Sequence, residues 1–121
     1  MKKIILILAL SIAFFSNAQK VEVKKETVGN ITKIDHHAQA KNDLYDIMQA
    51  VTLDQERQDI LFNTMISKYD FLNENQATYS TASELKTRAK DFSVKLPRVF
   101  SENEMAIIKK ANLEVYLRVF E

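Results

Sequence analysis

Val51-Thr52-Leu53-Asp54-Gln55 lies between two stretches whose apolar residues recur at helical spacing. Thr52 and Gln55 have the spacing of a capping box. In this motif the hydroxyl of the first residue accepts a hydrogen bond from a backbone N–H of the first turn, and the side chain of the second reaches back. This signal predicts that one helix, from about residue 34, ends near Ala50, and that a second begins here and runs to about Leu72.

Two further helix starts follow the second predicted helix. Thr81 and Glu84 have the same spacing and open a third helix, which Pro97 ends or kinks because proline lacks the backbone N–H that a helix needs. Ser101 and Glu104 repeat the signal, and apolar residues flank them in the positions of a hydrophobic staple. The fourth helix is predicted to run from there to the C-terminus.

The composition favours helices over sheets. The chain of 121 residues contains one glycine, one proline and no cysteine, so it has few residues for sharp turns and no disulfides. We predict an all-α domain over residues 34–121, with about four helices arranged as long hairpins or as a small open bundle. Residues 19–33 are predicted to form a flexible charged leader, with a short valine-containing strand as the alternative.

Residues 1–18 have the order of a cleavable secretory signal peptide. Two lysines precede an apolar run over residues 4–15, and the small residues Ser16 and Ala18 occupy the positions that a signal peptidase reads. The apolar run is shorter than the ~20 residues that a membrane-spanning helix needs. We therefore expect cleavage after Ala18 rather than retention as an anchor. The expected product is periplasmic or secreted and has no stable membrane anchor.

Cleavage would change the charge on which predictions about partners depend. It removes two of seventeen basic residues and leaves fifteen against sixteen acidic ones, a net charge of −1. A near-neutral domain lacks the basic excess that is typical of nucleic-acid binding. The absence of cysteine excludes thiol catalysis, and the single glycine excludes glycine-rich nucleophile and phosphate loops. Asp43 and Asp46 have the spacing of a solvated helix face, so we expect neither an enzyme nor a bound cofactor.

Two predicted helix surfaces are candidates for binding a partner. The third helix has five basic residues against two acidic ones, and the alternatives are a solvated face or pairing with the acidic second helix. The end of the fourth helix is apolar nearly all round, which is typical of a helix that is buried or paired. We therefore predict a homodimer or client interface. The predicted contact residues are Lys86, Arg88, Lys90, Lys95, Arg98, Leu113, Tyr116, Leu117 and Phe120.

The only histidines, His36 and His37, are adjacent. Adjacent helical side chains point about 100° apart, so they do not converge on one metal ion as the His-x-x-x-His spacing does. Asp43 or Asp46 could supplement one of them from the same helix. Solvated polar residues near a helix start are the main interpretation, and a metal site is the alternative.

Residues 51–55 resemble the Leu-Thr-x-x-Gln motif of the Spy/CpxP-like periplasmic proteins. Residues 100–104 lie where the second copy of that motif would be, with serine in place of threonine and glutamate in place of glutamine. The resemblance covers about residues 44–120. It implies a small, exported, helical and non-enzymatic protein that forms antiparallel, cradle-shaped dimers. Such proteins hold unfolding proteins without ATP or act as envelope-stress adaptors, and some relatives sense metals. The resemblance also implies a structural helix-cap role for Thr52 and Gln55.

The leading hypothesis is therefore an exported, non-enzymatic helical protein. It would bind unfolded or envelope proteins as clients through apolar and basic helix surfaces, as an ATP-independent periplasmic chaperone or stress adaptor. One alternative is a metal-responsive sensor that uses His36 and His37. Another is a structural interaction module for one dedicated partner.

Overall fold

The structure is a computed structural model that describes residues 20–121, and the predicted signal peptide lies outside the described residues. The described chain is mostly helical, as predicted, with a two-stranded sheet added. The elements are β1 (Lys25–Val28), β2 (Ile31–Ile34), α1 (His36–Ala50), α2 (Gln55–Glu74), α3 (Ala82–Ala89), a 3-10 turn (Lys90–Ser93), α4 (Leu96–Val99), α5 (Glu102–Ala111) and α6 (Leu113–Phe120).

The stretch that was predicted to be a flexible leader contains an antiparallel hairpin. β1 and β2 pair with Val28 opposite Ile31, which leaves a two-residue turn. Gly29 has a φ of 64° in this turn, and a two-residue hairpin turn needs a positive φ that glycine adopts without strain. The single glycine of the chain thus stands at a turn that requires it. The short-strand alternative holds in part, because Val28 lies in β1 whereas Val21 and Val23 precede it.

Two side-chain amides, one in α2 and one in the turn that follows it, bind the hairpin. Asn73 Nδ2 donates to the Ile34 carbonyl at 2.7 Å, and the Ile34 N–H donates to Asn73 Oδ1 at 3.0 Å. Gln76 makes the same pair of bonds with Thr32, at 2.5 Å from Nε2 and 3.2 Å to Oε1. The amides therefore satisfy the outer edge of β2 as a third strand would, which protects that edge from pairing with another chain.

The core lies between α1 and α2 and is covered by the C-terminal segments. Leu44 and Ile47 of α1 and Leu61 and Met65 of α2 are at most 1 % exposed. Their spacing of three and four residues places each pair on one face of its helix. The later elements contribute further core residues: Leu96, Phe100, Ile108, Val115, Val119 and Phe120.

The predicted capping box of Thr52 and Gln55 does not form. The N-cap of α2 is Asp54, whose carboxylate accepts from the Arg57 N–H at 2.9 Å, while the Gln55 amide donates to Asp59. Leu53 explains the shift, because its side chain is buried and holds the preceding residues outside the helix. Thr52 is exposed.

The capping box of Ser101 and Glu104 is present in full. Ser101 Oγ accepts from the Glu104 N–H at 3.1 Å, and Glu104 Oε1 accepts from the Ser101 N–H at 3.0 Å. Arg57 of α2 donates to Glu104 at 2.7 Å and lies 4.7 Å from the centre of the Phe100 ring. The hydrogen bond from Arg57 lowers the pKa of Glu104, so this contact ties the start of α5 to the start of α2.

The third and fourth predicted helices are each divided. The third breaks into α3, the 3-10 turn and α4, with Pro97 in the first turn of α4, where its missing N–H costs nothing. The fourth breaks at Asn112, which caps α6 by accepting from the Val115 N–H at 3.2 Å. Thr81 caps α3 as predicted, but Glu84 bonds to Ser80 Oγ instead of completing a box.

Candidate functional site

A groove runs between α3 and α6 with α2 at its base, and we call it the α3–α6 groove. Its central part has a volume of about 280 Å³, and an adjoining part of about 260 Å³ shares three of its lining residues. The walls combine apolar surface with basic side chains. The residues that line the two parts are Lys68, Leu72, Ser83, Lys86, Thr87, Ala89, Lys90, Glu114, Leu117, Arg118 and Glu121.

Lys68 stands at the base of this groove and is only 4 % exposed. Its ammonium group donates to Ser93 Oγ at 3.0 Å and to the Val119 carbonyl at 3.3 Å. Ser93 in turn donates to the same carbonyl at 2.6 Å. Burial, together with the nearby positive charges of Lys86 and Lys90, lowers the pKa of Lys68 to about 8. The hydrogen-bond partners of the buried Lys68 ammonium group are therefore both neutral acceptors.

The residues predicted to contact a partner are only partly brought together. Lys86 of α3, Lys90 at the start of the 3-10 turn and Leu117 of α6 meet in the α3–α6 groove. Arg88, Lys95 and Arg98 are exposed but do not line it. Within residues 20–121 none of these five basic residues forms a salt bridge, so the predicted alternative of pairing with the acidic second helix is not realised.

The apolar helix α6 divides into a buried and an exposed side. Val115, Val119 and Phe120 are in the core, and the Phe120 ring packs edge-on against Phe100 at 5.5 Å. Phe120 is therefore not a contact residue, which corrects the sequence prediction. Tyr116 is half-buried and stacks on Phe120. Leu113 and Leu117 remain 52 % and 41 % exposed and supply the apolar surface that the prediction required.

A buried ionic cluster sets the position of α6. Arg118 donates to both carboxylate oxygens of Asp43 on α1, at 2.7 and 3.0 Å, and Tyr69 and Gln39 donate to the same carboxylate. Asp43 is fully buried, so its predicted place on a solvated face is wrong. Burial and the neighbouring Asp43 charge raise the pKa of the Tyr69 hydroxyl. The two hydrogen bonds from the Arg118 guanidinium to the Asp43 carboxylate fix α6 relative to α1 and thereby shape one wall of the groove.

The histidines lie at the start of α1 with their ring centres 4.5 Å apart. The two carboxylates considered as additional ligands are already engaged, Asp43 with Arg118 and Asp46 with Lys20 at 2.6 Å. Residues 20–121 contain no group of three or more His, Cys, Asp or Glu side chains arranged to hold a metal ion.

Sequence reasoning missed Lys68 and Asp43 because it read charged residues as solvated. Each lies at helical spacing from core residues: Lys68 is three residues after Met65, and Asp43 is three residues after Ala40. A charged residue on an apolar stripe is a signal for a buried and partnered charge. The partners themselves, Ser93 and Arg118, are 25 and 75 residues away, and nothing in the local pattern indicates them.

No helix among residues 20–121 is both long and apolar enough to cross a membrane. No protein-family model matches the chain, and comparison with curated proteins and with solved structures finds no significant match.

Proposed function

We propose that this chain is an exported, non-enzymatic holding protein that binds unfolded segments of other proteins without ATP. The proposal includes removal of residues 1–18 on export and a mature protein that works in the periplasm or outside the cell. The α3–α6 groove is the observation that carries it, because exposed leucine and lysine side chains meet there in one open concavity.

The groove suits a binding role better than catalysis. Apolar surface next to basic groups fits chains in which leucine-like and acidic side chains alternate, and such segments are exposed when a protein unfolds. Lys68 contacts the hydroxyl of Ser93, but that hydroxyl is buried, donates to the Val119 carbonyl and is not among the groups that line the groove. The resemblance of residues 51–55 and 100–104 to the Spy/CpxP-like motif is consistent with this role. However, Thr52 and Gln55 do not make the cap that the resemblance implies.

An aggregation assay tests this proposal. The purified protein is expected to suppress light scattering by a thermally unfolding test protein at near-stoichiometric amounts and without ATP. Leu117→Asn is expected to weaken suppression severalfold, whereas Val28→Asn, which changes a still more exposed valine on the hairpin, should leave it unchanged. Absence of suppression across a range of ionic strengths would contradict the proposal.

Two alternatives make different predictions. A metal-responsive sensor would show heat on titration with zinc, copper or nickel, and replacement of both His36 and His37 would abolish it. The engagement of Asp43 and Asp46 in ion pairs does not favour this function.

A module for one dedicated partner would show little holding activity and would use the exposed Leu113 and Leu117. The same leucines are the surface proposed for a homodimer.

A further inference from the structure

The positive charges of the α3–α6 groove are not balanced by the acidic residues around it. Glu114 lies 3.4 Å from Arg118, whose guanidinium also pairs with Asp43, so these three charges together leave one negative charge. Lys68, Lys86 and Lys90 are left facing Glu121. The local excess is therefore positive, in a domain whose expected net charge is −1.

The burial of Lys68 makes this excess of positive charge unfavourable in free energy. A buried ammonium loses its hydration, and hydrogen bonds to neutral oxygens replace only part of it. Among residues 20–121 no carboxylate lies within salt-bridge distance of the Lys68 ammonium, which has hydrogen bonds to two acceptors and the capacity for a third. Lys68 is also one of the residues that line the groove, so an anion that enters there comes close to its side chain.

We infer that the base of the α3–α6 groove is a carboxylate-binding pocket, in which Lys68 receives an acidic side chain of a bound polypeptide and Leu117 contacts its apolar neighbour. Lys86 of α3 and Lys90, the residue that follows α3, supply long-range attraction at the rim. Glu114 and Glu121 disfavour a doubly charged group such as phosphate, so the pocket suits a single negative charge. The apolar walls at Leu72 and Ala89 lower the local polarity and so strengthen the ion pair. The inference deepens the proposed function, since it names the chemistry by which clients would be recognised.

Calorimetric titration of the purified protein with two blocked peptides tests this pocket. One peptide has a glutamate between leucines, and the other has glutamine at the same place. A charge-assisted hydrogen bond at a buried site should make the glutamate peptide bind about tenfold more tightly or better. Inorganic phosphate at the same concentration should not displace it.

Variants locate the pocket. Lys68→Met should remove the preference for glutamate, and it should keep the fold because an apolar chain of similar length replaces a buried charge. Lys86→Gln with Lys90→Gln, both at exposed positions, should reduce the preference severalfold. Lys110→Gln, at an exposed position on α5, is the matched control and should have no effect.

Equal affinity for the two peptides, an unchanged preference in the Lys68→Met variant, or efficient displacement by phosphate would each overturn the inference. The titration requires no unfolding protein. If the holding assay fails while the glutamate peptide binds, the proposed function is wrong and the pocket stands. If holding succeeds without a glutamate preference, only the pocket is wrong.

Discussion

At the scale of single residues, the structure depends on buried charged side chains that the sequence pattern predicts to be exposed. Asp43 and Asp46 lie one helical turn apart on α1, and both look solvated in the sequence. Asp43 is fully buried and receives hydrogen bonds from α2 and α6, whereas Asp46 pairs with Lys20, whose side chain is 51 % exposed. Local spacing does not distinguish the two, because the difference arises from a partner 75 residues away.

Asp43→Asn is expected to destabilise the fold far more than Asp46→Asn. Loss of the Asp43 charge leaves the partly buried Arg118 guanidinium with only the exposed Glu114, at 3.4 Å, as a counterion, which costs about 3 kcal/mol in the free energy of unfolding. Asp46→Asn removes a surface ion pair and should cost less than about 1 kcal/mol. Urea denaturation followed by circular dichroism measures both. Similar unfolding midpoints for the two variants would show that the buried cluster does not contribute as described.

At the scale of elements, helix existence was easier to predict than helix ends. Apolar periodicity predicted α1 and α2 to within about two residues, because their cores follow a regular helical stripe. The breaks at Lys90–Ser93 and at Asn112 were missed, since no glycine or proline marks them. The position of the hairpin depends on Asn73 of α2 and on Gln76 in the turn after it, and the sequence of residues 19–33 alone does not indicate those contacts.

The start of α2 provides a direct test at this scale. Asp54→Ala removes the observed cap and is expected to lower the free energy of unfolding by about 1 kcal/mol. Thr52→Ala alters an exposed residue outside the helix and should change it by less than about 0.5 kcal/mol. Thermal unfolding of the two variants under one buffer condition gives the comparison. A larger loss in the free energy of unfolding for Thr52→Ala than for Asp54→Ala would instead support the predicted capping box of Thr52 and Gln55.

At the scale of the whole molecule, the helical class was predictable from composition, but the groove was not. A single glycine, a single proline and no cysteine favour long helices. The α3–α6 groove exists because Asn112 turns the chain and the Asp43–Arg118 pair then holds α6 beside α1, with Leu117 facing Lys86 and Lys90. One side of the apolar helix α6 packs against the core of the domain. Only its other side is exposed, so the apolar surface available to a partner is small.

The most direct test of client binding in the α3–α6 groove is photocrosslinking from defined positions. A photoreactive amino acid replaces Leu117 in one variant and Val28 in another, and each is irradiated with an unfolding test protein. We predict strong crosslinks from position 117 and weak ones from position 28, although Val28 is 71 % exposed and Leu117 only 41 %. Crosslinks from position 28 that equal or exceed those from position 117 would contradict the account.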